Sequence, residues 1–251
     1  MNKFAFIGIA LATGVIWSAP ASACQGDSCA NGLAYEKFGP PSSQTLAVFI
    51  HGDVSAGGPS DYMYSYAKAF AASHKIVAVA LLRPGHYDRA GRRSGGSDNG
   101  RRDSFQSSQN RAIAGAIREL QGRYGARRVI ALGHSAGAGT LGVLAGSGGF
   151  LSGVVLASCP CDVRAWDEAR GRGGRSQSQS PIDYVAGTAG LPIVAVTGAT
   201  DDNTRPALAE AYVQKAKAAG ARASVQIVGG GHGFGGGVGS ASVAALGRMV
   251  R

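Results

Sequence analysis

The sequence predicts a single α/β domain: a mostly parallel sheet of about six to seven strands with helices on both faces. Short apolar runs near 46–50, 76–82, 129–133, 153–158, 192–198 and 223–228 alternate with helical stretches near 61–73, 104–122, 137–146, 205–219 and 240–249. Runs this short, bounded by Gly, Pro and polar residues, read as strands buried on both faces, which is what a parallel sheet covered by crossover helices requires. Of the 251 residues, about 228 remain once a leader is set aside, enough for one sizeable core. No internal repeat is visible.

The chain opens with Met1-Asn2-Lys3, an apolar run from Phe4 to Trp17, and then Ser18-Ala19-Pro20 and Ala21-Ser22-Ala23. A charged start, an apolar stretch too short to span a bilayer comfortably and an Ala-x-Ala site together read as a secretory signal over residues 1–23. An uncleaved anchor is the competing view. Cleavage after Ala23 would expose Cys24, which raises lipid attachment, although Ala21 stands where lipoprotein signals carry a larger aliphatic residue. The expected product is periplasmic or secreted, without stable membrane insertion.

Residues 24–45 form an N-terminal segment, and 46–251 the main domain. An exported chain can keep disulfides, and Cys24, Cys29, Cys159 and Cys161 allow three pairings, among which the sequence does not choose. Cys159-Pro160-Cys161 follows a strand rather than opening a helix, so it is not a redox motif. No histidine falls at metal-ligand spacing from either pair, so no metal or other cofactor is expected.

The strand Leu46–Ile50 runs into His51-Gly52-Asp53. After the second strand comes a Gly/Ser-rich loop holding Arg83, Arg89, Arg92, Arg93, Arg101 and Arg102, and after the fourth a loop holding Arg164, Arg170, Arg172 and Arg175. With 25 basic and 15 acidic residues the net charge is +10. If both loops border one cleft, a basic rim would draw in anionic substrates; the alternative is that the arginines are simply solvated. They are not interleaved with aromatics, so nucleic acid is not an expected partner. The second loop, roughly 162–179, is too polar and Gly-rich for a substantial cap and predicts a short flexible lid.

The third strand, Arg128–Leu132, leads into Gly133-His134-Ser135-Ala136-Gly137 and a helix. A strand, a serine with glycine at both second neighbours and a helix make a nucleophile elbow, in which a sharp turn lifts the hydroxyl into a site. Because 40 of the 251 residues are glycine, the pattern alone carries little and the context decides. His51, His74, His86 and His134 all precede Ser135. A triad running Ser, acid, His therefore has only His232 as its base, in a Gly-rich loop after the strand Ala223–Val228.

Several carboxylates lie between Ser135 and His232. Asp201 is preferred, because it ends a segment that begins with the strand Pro192–Gly198 and would emerge at the same sheet edge. Asp202 and Asp162 are the alternatives, and Asp201 and Asp202 could instead cap the helix beginning near Pro206. Acyl transfer also needs main-chain donors for an oxyanion. Ala136, after the nucleophile, and Asp53, in the loop after Leu46–Ile50, are the candidates. The Asp53 carboxylate would disfavour an oxyanion unless it points away.

Phe49-Ile50-His51-Gly52, Arg83-Pro84-Gly85, the Ser135 elbow, Ser180-Pro181-Ile182-Asp183-Tyr184, Gly198-Ala199-Thr200-Asp201 and Gly231-His232-Gly233 together resemble the α/β-hydrolase superfamily. Within it they are most similar to the dienelactone-hydrolase-like and prolyl-oligopeptidase-like branch. The resemblance, from about Leu46 to the C-terminus, implies metal-free hydrolysis of an ester, thioester or amide. Two departures stand out: the stretch before Leu46 is short for the two antiparallel strands that usually open the fold, and the oxyanion loop lacks the glycine run of many lipases. The expectation is an exported serine esterase acting on a small or anionic carboxylic ester. The alternatives are a prolyl-oligopeptidase-like peptidase and a non-catalytic binding protein of the same fold.

Overall fold

The structure is a computed structural model and describes residues 24–54, 56–101, 105–172 and 177–250. The leader expected over residues 1–23 and the basic residues Arg102 and Arg175 lie outside them. Among the described residues no helix is long and apolar enough to cross a membrane.

Among the described residues eight strands form one sheet in the order β1-β2-β4-β3-β5-β6-β7-β8. The strands are β1 (Cys29–Ala30), β2 (Leu33–Phe38), β3 (Thr45–Ile50), β4 (Val77–Leu81), β5 (Arg128–His134), β6 (Gly153–Ala157), β7 (Pro192–Gly198) and β8 (Arg222–Val228). From β4 to β8 every pairing is parallel, while β1 pairs β2 and β2 pairs β4 antiparallel. The segment before Leu46 is therefore long enough for two antiparallel strands, contrary to the expectation from its length. They are inconspicuous because β1 has only two residues and β2 buries Leu33, Ala34 and Tyr35 but leaves Glu36, Lys37 and Phe38 half-buried.

The period of two decides which residues enter which core. Leu46, Val48 and Ile50 of β3 join a cluster with Ile113, Ile117, Leu141, Leu144 and Tyr212, whereas Ala47 and Phe49 join Met63, Phe70, Val238 and Leu246. Helices α2 (Ser107–Arg123), α3 (Ala136–Ser147) and α5 (Pro206–Ala218) thus cover one face, and α1 (Met63–His74) and α6 (Gly236–Gly247) the other. Helix α1 shows why such a segment is helical: its buried residues Met63, Ala67, Phe70 and Ala71 fall on one stripe. It stops at Lys75, which turns left-handed at φ 55° and returns its N–H to the Ala71 carbonyl.

Within the lid region the described stretch up to Arg172 includes a short helix. Helix α4 (Val163–Glu168) forms there because the Asp162 carboxylate caps it, accepting from the Arg164 and Ala165 amides. Farther on, the Gln179 N–H donates to the Phe105 carbonyl. The cysteines pair as Cys24–Cys29 and Cys159–Cys161.

Candidate active site

The chain passes from β3 to β4 on one side and then to β5 on the other, so the sheet's topological switch lies beside the end of β3. Ligands of open α/β sheets bind at the carboxyl edge near such a switch. Four of the loops leaving that edge carry the candidate residues: 51–53 after β3, 135–136 after β5, 199–204 after β7 and 229–235 after β8.

Ser135 stands at φ 52°, ψ −118°, a conformation an L-residue adopts only under constraint. Its N–H extends the ladder to the Ala157 carbonyl of β6, and its carbonyl accepts from the Gly139 N–H in the first turn of α3. The flanking glycines make room for this turn. A Cβ on Gly137 would lie 2.5 Å from the Ile50 carbonyl oxygen and 2.6 Å from that of His51, and one on Gly133 would strike the Gly137 carbonyl. Ala136 opens α3, so its N–H has no acceptor within the helix.

The structure brings Ser135, His232 and Asp201 together. Nε2 of His232 is 2.9 Å from Oγ of Ser135, and Nδ1 is 3.0 and 3.2 Å from the two carboxylate oxygens of Asp201. The Asp201 side chain is fully buried, while that of His232 is 24% exposed. Asp201 also accepts from the Asn203 N–H at 3.0 Å, the Thr204 N–H at 2.8 Å and the Thr204 hydroxyl at 2.8 Å. Burial opposes its ionisation, but the hydrogen bonds from His232 and Thr204 outweigh that and hold the carboxyl below its ordinary value. The rival acids are placed differently: Asp162 caps α4, and Asp202 is exposed.

The Asp53 carboxylate is drawn toward the buried Arg83, whose Nη1 lies 2.7 Å from its Oδ1. A neutralising guanidinium thus meets the objection to a carboxylate in this loop. The same contact revises the basic rim. Arg83 is only 2% exposed, Arg92 pairs with Asp88 and Glu36, and Arg93 donates to the Gly85 carbonyl and lies over the Tyr87 ring. Arg83 and Arg92 are thus tied to carboxylates within the fold, whereas Arg93 stays exposed with uncharged partners. In the second loop Arg164 pairs with Asp183, and Arg170 and Arg172 lie over the Trp166 ring.

Thr204, Asn203 and Arg83 have contacts at the site that the sequence reading did not assign. Asp201 followed two and three residues later by groups that can donate back is an Asx-turn pattern and was a readable signal. Arg83 offered none, since its partner lies 30 residues away. Among the described residues no group of three or more His, Cys, Asp or Glu side chains is placed to hold a metal ion.

No family model matches the chain, and no curated protein matches it. Solved structures do. An esterase of Pyrococcus furiosus, Pf2001, superposes with a TM-score of 0.66 at 15% identity over 83% of this chain and 82% of its own. TT1662 of Thermus thermophilus gives 0.66 at 16% identity over 91% and 98%. Est1E of Butyrivibrio proteoclasticus, solved with ferulic acid bound, gives 0.67 at 13% identity over 89% and 97%. The chain has the α/β-hydrolase fold. Ser135, Asp201 and His232 stand after β5, β7 and β8, in the chain order serine, acid, histidine.

Proposed function

We propose that the protein is a serine hydrolase that cleaves small carboxylic esters through an acyl-enzyme. The observation that carries this reading is the unbroken contact from Ser135 Oγ through the His232 ring to the buried Asp201 carboxylate. Ser135 Oγ attacks the acyl carbonyl as its proton passes to His232 Nε2. Nδ1–H of the resulting imidazolium stays on Asp201, which stabilises the charge and fixes the tautomer. The amides of Ala136 and Asp53 receive the oxyanion. Collapse of the tetrahedral intermediate expels the alcohol, which takes the proton from Nε2. Water, deprotonated by the same nitrogen, then attacks the acyl-enzyme, releasing the acid and restoring Ser135.

Fluorophosphonate labelling with peptide mapping, together with hydrolysis of a short acyl ester and of a peptide amide, tests the proposal. Labelling at Ser135, with loss of both labelling and ester hydrolysis by about a thousandfold or more in Ser135→Ala, is expected. Hydrolysis untouched by that change would sink it. The peptide amide is included because an acylaminoacyl peptidase of Pyrococcus horikoshii shares the fold, with a TM-score of 0.64 at 15% identity over 86% of this chain and 37% of its own. The anionic preference keeps less support, since Arg83 and Arg92 of the first loop are paired with carboxylates of the fold.

Export belongs to the same proposal. The leader pattern of residues 1–23 supports it, as do the two disulfides, since such bonds persist in oxidising compartments. Sequencing the mature N-terminus should return Cys24; a chain that begins at Met1 in the cytoplasm would overturn this part alone.

A further inference from the structure

One network beside the triad has no part in the proton transfer described above. His134, immediately before the nucleophile, is buried, with its Nε2 2.9 Å from the main-chain carbonyl oxygen of His232. A carbonyl only accepts, so Nε2 carries the hydrogen and donates. Burial keeps the ring neutral, lowering its pKa to about 4, so Nδ1 is a lone pair. The Tyr62 hydroxyl, 2.7 Å from Nδ1, must therefore donate to it. Having donated, the Tyr62 oxygen accepts from the Gly52 N–H at 2.5 Å. Each hydrogen has one place to go: Gly52 N–H to Tyr62 Oη, Tyr62 O–H to His134 Nδ1, and His134 Nε2–H to the His232 carbonyl.

This relay joins the residue before Asp53 in the oxyanion loop to the backbone of the catalytic-base candidate, passing beside Ser135. It also occupies the Gly52 amide, which is thereby not an oxyanion donor. Phe234, buried and two residues beyond His232, covers the relay with its ring centroid 5.2 Å from that of His134 and 6.4 Å from that of Tyr62. With His134 buried and Phe234 over it, the relay is shielded from water, where a well-aligned hydrogen bond holds its geometry more firmly than it would in solvent.

We infer that Tyr62 and His134 are positioning residues that lock the oxyanion loop and the His232 loop into one register, so that base and oxyanion donors meet Ser135 together. The inference rests on the hydrolase reading above. Its effect falls on the chemical step rather than on substrate capture, because neither side chain has to touch the substrate. Displacements well under the length of a hydrogen bond suffice, since a misplacement of about 1 Å can cost on the order of a hundredfold in rate.

The test is steady-state hydrolysis of p-nitrophenyl acetate by the full mature protein and by Tyr62→Phe, His134→Leu, His134→Gln and the double variant Tyr62→Phe/His134→Leu, each checked for folding by circular dichroism. Tyr62→Phe and His134→Leu should each lower kcat roughly tenfold to a hundredfold with KM within about threefold. The double variant should be no worse than the poorer single one, because either change breaks the same chain. His134→Gln, whose amide can accept from Tyr62 and donate to the His232 carbonyl, should recover kcat to within about threefold of wild type. Multiplicative losses in the double variant, unchanged kcat in folded Tyr62→Phe, or His134→Gln as impaired as His134→Leu would each overturn the inference. If the leucine variants do not fold, Tyr62→Phe and His134→Gln still decide it: an unchanged kcat in the first or a large loss in the second overturns it. Hydrolysis dependent on Ser135 but indifferent to Tyr62 sinks this inference alone, whereas hydrolysis indifferent to Ser135 sinks the catalytic reading beneath it.

Discussion

Ser135 carries a side chain at a positive φ of 52°, and the conformational energy involved can be measured apart from activity. A non-glycine residue held in such a region costs about 1–3 kcal/mol, part of which glycine returns through the greater freedom of its unfolded chain. Ser135→Gly should therefore be more stable than Ser135→Ala by about 1 kcal/mol, a rise of roughly 2–4 °C in Tm for a chain of this size. Both should be inactive. Equal melting temperatures for the two inactive proteins would mean that the surroundings do not strain this turn. Thr204 offers a second measurement, because its hydroxyl reaches both Asp201 Oδ2 at 2.8 Å and His232 Nδ1 at 3.1 Å. Thr204→Val deletes one donor to the buried carboxylate but keeps the amide donor, and should lower kcat about tenfold, the equivalent of one hydrogen bond to a charged group. Thr204→Ser should restore most of that loss. A valine variant as fast as wild type would show that the His232 and main-chain donors alone fix the Asp201 carboxylate.

At the level of elements, the oxyanion loop after β3 depends on Arg83, the second residue after the end of β4. Its guanidinium is buried against Asp53, and His86 Nε2 stands 3.9 Å from the same carboxylate oxygen. Arg83→Met should leave that carboxylate short of its cation beside the oxyanion position, costing about 2 kcal/mol of stability and about tenfold in kcat. Adding Asp53→Asn should recover part of both, since the charge that needed the cation is then gone; a double variant as impaired as the single one would show that Arg83 acts only by packing. These elements also mark how far the sequence could be read. Strands β3 to β7 were legible as short apolar runs between crossover helices; the edge strand β8, whose Ala223, Val225 and Ile227 alternate with polar residues and leave Ile227 47% exposed, was legible as a strand but not as one buried on both faces. Ser135 and His232 were legible because chain order left one histidine after the elbow. Asp201 was favoured by its place after β7, yet its preference over Asp202 needed the fold, which buries one and exposes the other. Strands β1 and β2 were not legible, because β1 is two residues long and β2 mixes buried and half-buried positions. The order of the 162–172 stretch was hidden for another reason: α4 is held by a cap and by contacts to distant loops, and composition records neither. Tyr62 and Arg83 meet their partners across 72 and 30 residues, a separation over which periodicity carries no information.

Across the whole molecule, three histidines are stored in neutral form, and this sets its response to acid. His51 donates from Nδ1 to the Gly52 carbonyl and accepts the Arg83 N–H at Nε2, so neither nitrogen can take a proton without breaking a contact. Burial first, and then the neighbouring Arg83, lowers its pKa well below the ordinary value. The same two causes lower His86 to about 4, and burial lowers His134 to about 4. Each ring thus stays unprotonated in the fold where the unfolded chain would protonate it, below about pH 6.5. Between that value and about 4 the unfolded state binds more protons, so stability falls as pH falls. The slope approaches about 1.4 kcal/mol per pH unit for each histidine, or about 4 kcal/mol per unit if all three act together. Asp201 adds to the loss only in stronger acid, as its lowered carboxyl is protonated. Urea unfolding at pH 7.5, 6.5, 5.5 and 5.0 should give midpoints that fall slightly between pH 7.5 and 6.5 and then drop more steeply. His134→Gln should reduce the steepness of that drop by about 1.4 kcal/mol per unit while leaving its direction unchanged. Midpoints flat from pH 7.5 to 5.0 would mean that the three rings accept protons as readily in the fold as out of it, against the burial that disfavours their charged forms.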